Sequence, residues 1–141
     1  MIKVQPNVVI ISDGNTRRYK NNMVQGGFDW LVNFIVSNSG AVLTHIAIGD
    51  NANPVSQGDV VLHNELTRKT ISLLENDNGT AYAEVFVDMN EANFHWREIG
   101  LFAGGTAEKD SGTLIARCLV DEAKDSRRTA TISWEIGFAN V

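Results

Sequence analysis

The sequence predicts a mainly β fold, an antiparallel β-sandwich with one N-terminal α-helix packed across it. Three observations lead there. Short apolar runs alternate with turn signals along most of the chain, the spacing of a sandwich rather than of βαβ units. Two stretches, 80–88 and 129–138, alternate apolar and polar residues with the period of a strand. Only the stretch 28–37 carries a clear helical spacing of apolar residues.

In chain order, residues 1–22 read as an extended N-terminal arm and 23–141 as helix plus sandwich, all within a single domain 1–141. Val8-Val9-Ile10-Ile11 is a β-branched run, and Pro6 disfavours a helix ahead of it. Ser12-Asp13-Gly14-Asn15 is a turn signal. An apolar strand so near a terminus must pair with a sheet, its own or a neighbour's. The expectation is docking on a neighbouring chain, which makes Val8, Val9, Ile10 and Ile11 candidate interface residues.

The helix has two apolar stripes. Phe28, Leu31, Val32 and Ile35 form one, expected to pack on the sheet. Trp30 and Phe34 form the other, expected to meet a second subunit. Gly26-Gly27 precedes the helix, and Gly40 is expected to supply its left-handed stop. A strand over 42–49 follows, then a loop from Gly49 to Gly58. Asp50, Asn51 and Asn53 are oxygen donors in sequence. The loop lacks both the glycine and the closing glutamate of an EF-hand, so no metal is expected.

Residues 59–69 read as a short turn or helical piece leading into a strand over 70–74. Asn76-Asp77-Asn78-Gly79 is a hairpin turn, with the return strand over 80–88. The stretch 94–105 has large apolar groups at both parities, so it belongs in the middle of a sheet. Arg97 and Glu98 lie between those groups and need partners, either beside the sheet or across a subunit boundary. A polar loop over 106–112, a strand over 113–121, a charged loop over 122–128 and a strand over 129–138 complete the chain. The last strand has one polar and one apolar face.

Composition narrows the chemistry. The chain has 141 residues, 43% hydrophobic and 21% charged, and a net charge of -5. That charge gives no reason to hold nucleic acid, and Arg17-Arg18-Tyr19-Lys20 is too short an exception. Cys118 is the single cysteine, set in an apolar run, and reads as a small buried hydrophobe of a protein folded in a reducing compartment. The N-terminus carries no signal-peptide pattern, and no apolar run approaches the roughly 20 residues that span a bilayer, so no membrane partner is expected.

Catalytic patterns are missing. His45, His63 and His95 lie in separate segments. His63-Asn64-Glu65 has the H-x-E form of zinc deaminases without the cysteines that bind the metal. There is no nucleophile elbow, phosphate loop or dinucleotide fingerprint. The expectation is a non-enzyme with no cofactor.

The order of segments carries a resemblance. It runs through Leu43-Thr44-His45-Ile46-Ala47-Ile48-Gly49-Asp50, then Leu62-His63-Asn64-Glu65-Leu66-Thr67-Arg68-Lys69. Glu98-Ile99-Gly100-Leu101-Phe102 and Gly112-Thr113-Leu114-Ile115-Ala116 follow. In these pieces, from about Phe28 to Val120, the chain resembles the N-terminal domain of bacteriophage tail-collar fibre proteins. That resemblance implies a virion structural protein of the tail: a baseplate, tail-tip, collar or fibre-adaptor subunit. It implies synthesis in the host cytoplasm and assembly with other phage structural proteins, as a homo-oligomeric trimer or ring. Two departures from the family stand out: no fibre shaft follows the domain, and Lys124 stands without the family's adjoining proline. The alternatives are a capsid-decorating or head-to-tail joining protein, and a carbohydrate-binding sandwich. The last would use Trp96, Trp134 and the loop from Asp50 to Asn53 for glycan.

Overall fold

The computed structural model describes residues 2–20 and 22–140; Met1, Asn21 and Val141 lie outside the described residues. Its strands are β1 (Ile2–Ser12), β2 (Asn15–Lys20), β3 (Asn22–Met23), β4 (Leu43–Gly49), β5 (Glu65–Thr70), β6 (Leu73–Asp77), β7 (Thr80–Val87), β8 (His95–Ala103), β9 (Thr113–Ala123) and β10 (Ala130–Asn140). One helix, α1 (Gln25–Ser37), stands between β3 and β4. The strands form two antiparallel sheets, ordered β2-β1-β10-β7-β6 and β3-β9-β8-β4-β5. The fold is the expected β-sandwich with one helix.

The core follows from alternation. Val8 and Ile10 on β1, Ile132, Trp134 and Ile136 on β10, and Val85 and Val87 on β7 point inward from one sheet. Trp96, Ile99, Leu101, Ile115 and Cys118 meet them from the other. Burying a large aliphatic side chain contributes about 1.5–3 kcal/mol, so this interior dominates the folding of the chain.

The residues expected to form a free arm are instead two integral strands. β1 pairs with β10 along its whole length and with β2 on its other edge. Asp13 and Gly14 both have positive φ, 53° and 73°, which closes a tight hairpin whose twist suits the strands. Asn78 and Gly79 do the same at the β6–β7 turn.

The region read as a turn and then a strand over 70–74 divides differently. β5 begins at Glu65 in one sheet, and β6 begins at Leu73 in the other. The corner at Ile71 and Ser72 crosses between sheets. The Ile71 N–H donates to Thr44 O (2.9 Å) and the Ser72 N–H to Glu84 O (2.9 Å), so each sheet keeps one of the two donors. Sequence alternation cannot reveal such a handover, because both halves remain extended.

The helix packs against β9 and β3. Gly27 explains the approach: a Cβ there would stand 2.2 Å from Ile115 O. The helix ends at Asn38, in the left-handed conformation (φ 50°, ψ 38°), two residues before the expected Gly40. Asparagine tolerates that conformation better than most residues. Gly40 serves Phe34 instead, whose ring lies 2.9 Å from where a Cβ would sit.

Candidate functional site

The central strand β8 carries a buried ion pair. A bulge between Trp96 and Glu98 reverses the facing of the chain. Trp96 enters the sandwich core, Arg97 is exposed, and Glu98 turns to the outer side of the sheet. Equal parity groups Trp96 with Glu98, but the register shift, with two residues along β8 matched by three along β9, separates them. Arg117 on β9 donates from Nε to Glu98 Oε1 at 2.9 Å, and neither side chain is exposed to solvent (0% each).

The pair's other hydrogen bonds all go to the loop between β4 and β5. Glu98 accepts the backbone N–H groups of His63 (2.9 Å), Asn64 (2.8 Å) and Asn51 (3.2 Å). Arg117 donates to the carbonyls of Asn53 (2.9 Å) and Asn51 (3.3 Å), and its Nη1 stands 3.5 Å from Asp59 Oδ2. Burial would raise the Asp59 pKa, but the Ser56 N–H, His63 and Arg117 together hold it below its ordinary value. Gly49 leaves room for the closure: a Cβ there would lie 2.3 Å from Asn64 O and 2.7 Å from Glu98 Oε2. The loop is thereby clasped to the sheet.

A second pair lies farther along the same face. Glu65 and Arg68 on β5 form a two-pronged contact, both distances 2.8 Å. The Arg68 guanidinium lies 4.7 Å over the Phe102 ring and donates to Ser111 O and Thr106 O, each at 3.0 Å. It therefore holds the β8–β9 connection. Between the two pairs, Leu62, Phe102 and Leu114 pack with Val24 and Ala47 in a small core of their own. Leu62, Asn64, Glu65, Arg68, Glu98, Phe102 and Leu114 belong to three of the four motif segments, and the fold brings them together.

The sequence signal for Glu98 was a charge among large apolar residues, and Arg117 carries the same signal inside Leu114-Ile115-Ala116-Arg117-Cys118. Reading the two as partners was missed. Two further buried charges were missed as well. Glu122 accepts from Arg17 (2.8 Å) and Tyr19 (3.0 Å), stapling β2 to β9. Lys124 donates to Asn93 Oδ1 (2.7 Å) and Glu91 O (3.0 Å), anchoring the β7–β8 connection. Burial lowers the Lys124 pKa.

The chemistry of these groups is spent inside the chain. Asp50 accepts from Asn64 (2.6 Å), Asn51 from the Asn53 N–H (2.9 Å), and the Asn53 amide lies 3.2 Å from His63. Among the described residues, no cluster of three or more His, Cys, Asp or Glu side chains is placed to hold a metal. Cys118 is buried, and burial pushes its thiol up to about 12, so it is no thiolate at neutral pH. Trp96 and Trp134 are fully buried (0% each) and offer no stacking surface to a sugar.

The candidate interface residues fall in unexpected places. Val8 and Ile10 are buried in the chain's own sandwich, Val9 is covered on the outer face of the sheet, and both edges of β1 are occupied within the chain. Ile11 alone is half-exposed, on the outer face of its sheet. Trp30 donates from Nε1 to Ala41 O (2.6 Å) and meets Phe34 edge-on at 5.2 Å. That stripe is turned toward its own chain, and Trp30 packs on the main core. Of the stripe expected to be covered, Leu31 is half-buried, but Phe28 is 37% exposed, Val32 53% and Ile35 76%, with Val36 beside them 77%. The two stripes have exchanged roles. Periodicity identifies stripes but not which one faces home. Here the glycine contact with β9 and the indole's need for an acceptor decide it.

No match is found among protein-family models, curated proteins or solved structures. Among the described residues no helix is long and apolar enough to cross a membrane.

Proposed function

We propose that this chain is a structural subunit of a bacteriophage tail, at the baseplate, tail tip, collar or fibre attachment, working by protein–protein assembly. The observation that carries this reading is the outer face of α1. Phe28, Val32, Ile35 and Val36 stand in water on an element that its own sheet barely covers; among the helix residues only Gly27 is buried. Clustered exposed apolar side chains on a folded domain mark a contact surface. The motifs that resemble the tail-collar family support the same reading, since their charged residues brace loops.

The test is genetic and visual. Deleting the coding sequence from the genome that carries it should yield filled heads with incomplete or absent tails in negative-stain images. Release of complete, infectious particles that lack this chain would overturn the reading. A capsid-decorating role would instead leave intact tails on altered heads.

A further inference from the structure

We infer that the two open edges of the β1 sheet are complementary halves of one contact, through which copies of this chain join head to tail in a closed ring. The inference deepens the assembly reading above and takes its biological setting from it.

β2 and β6 are the two edges of that sheet. All five residues of β6 are exposed, as is β2 apart from half-buried Tyr19. An uncovered edge presents unpaired backbone N–H and C=O groups to any strand that can reach them. The charges on the two edges are opposite. β2 reads Asn-Thr-Arg-Arg-Tyr-Lys, three cations and no carboxylate. β6 reads Leu-Leu-Glu-Asn-Asp, two carboxylates and no cation.

Register puts these charges on the same side. One row across the sheet runs Lys20, Asn7, Glu135, Tyr82, Glu75, and the next runs Arg18, Val9, Ser133, Glu84, Leu73. Arg18, Lys20, Glu75 and Asp77 therefore all project from the outer face, away from the sandwich core. Arg17, on the inner face, is occupied with Glu122 at 2.8 Å. Arg18 reaches Glu135 only at 3.7 Å, with its side chain 69% exposed, and remains free to swing to a neighbour.

Symmetry fixes the geometry of the contact. With five strands, each antiparallel to the next, β2 and β6 run in the same direction. Rotation about an axis along the strands preserves that direction, so β6 of one copy meets β2 of the next as a parallel pair. Rotation without translation keeps each residue at its own height, so the row that joins Lys20 to Glu75 sets Lys20 of one copy beside Glu75 of the next. Two-fold pairing fails on the same grounds, since β6 against β6 gathers carboxylates and β2 against β2 gathers cations. An edge charged merely to prevent aggregation needs no such opposition of sign. These edges repel their own kind and accept each other, which is the arrangement of a head-to-tail interface, and such an interface makes a ring where its rotation closes.

Light scattering after size exclusion tests this on the whole chain. Wild-type protein should run at a multiple of the monomer mass. Glu75→Lys with Asp77→Lys makes both edges basic, and Arg18→Glu with Lys20→Glu makes both acidic. Each pair should reduce the mass to that of the monomer, with unchanged circular dichroism showing that the fold survives. All four substitutions together restore opposite signs and should restore the wild-type mass. A wild-type monomer at the highest soluble concentration overturns the ring. So does a multimer that both reversed pairs leave intact, or a fourfold variant that stays monomeric. None of those results touches the tail reading, which stands or falls on the particles released after deletion.

Discussion

The loop from Asp50 to Asn64 and the helix α1 make an instructive pair. The loop has no regular secondary structure, yet Glu98 and Arg117 grip it through five backbone hydrogen bonds and carry no solvent exposure themselves. The helix has thirteen residues of regular structure, yet its own fold covers little of it. Order in the loop comes from satisfied buried polar groups. Order in the helix is local, reinforced at its first turn by contact with β9 and at Trp30 by one hydrogen bond. Regularity and anchoring are separate properties, and the element with the weaker anchor is the one with surface left to offer.

The largest expected effect lies in the clasp. Glu98→Ala leaves the Arg117 charge buried without its partner, and three backbone N–H groups lose their acceptor. Breaking such a pair costs about 3–5 kcal/mol, read as a lower urea midpoint. Glu98→Leu combined with Arg117→Met should cost less than either single change, because no lone charge remains. A double variant as damaged as the sum of the singles would show that the pair is not the clasp's centre.

Next come the close approaches. Gly27→Val and Gly49→Ala each force a Cβ toward a backbone oxygen, at 2.2 Å and 2.3 Å. Overpacking of this kind costs about 1–3 kcal/mol. The two should differ in where they loosen the chain: amide exchange should rise in the helix for the first and in the loop for the second. The same exchange pattern in both variants would erase the distinction between the two regions.

A smaller effect should appear on acidification. His45 lies on β4, and burial lowers its pKa, with the neighbouring Arg68 adding to the shift. The folded chain therefore keeps the ring neutral, while the unfolded chain takes up a proton near the ordinary value of about 6.5. Below that pH the unfolded state binds more protons, so stability falls as pH drops. His45→Gln should flatten the slope of unfolding free energy between about pH 7 and pH 5. An unchanged slope would place the titration elsewhere.

The smallest thermodynamic effect is expected on the outer face of the helix. Val36→Asp should change stability by no more than about 0.5 kcal/mol, as at other exposed sites. Trp30→Ala, on the inward stripe, should cost clearly more. The reverse ranking would return the two stripes to the roles that periodicity alone suggested.

The sandwich was legible because alternation is a local property. The runs over 80–88 and 129–138, the Asn78-Gly79 turn and the central placing of β8 all emerged from spacing. The shallow depth of that reading shows at Glu98. The irregular pairing with β9 at that point accompanies its turn to the opposite face, and no count of parity along β8 anticipates a shift that only tertiary pairing creates. Its partner Arg117 lies 19 residues away, and nothing local ties the two together. The arm failed for a related reason. Val8 to Ile11 were correctly read as a strand needing a sheet, but sequence does not say whose. The helix stripes were both identified, with their roles reversed.

The outer face of α1 can be probed directly with Val36→Cys, because Cys118 is buried and its thiol is pushed up to about 12, leaving it unreactive. The rate of maleimide labelling at position 36 should be high in the isolated chain and at least about tenfold lower in the assembled tail, the change expected when a partner covers the site in at least nine molecules of ten. Labelling at the same rate in both states would contradict the claim that this helix is covered by another protein.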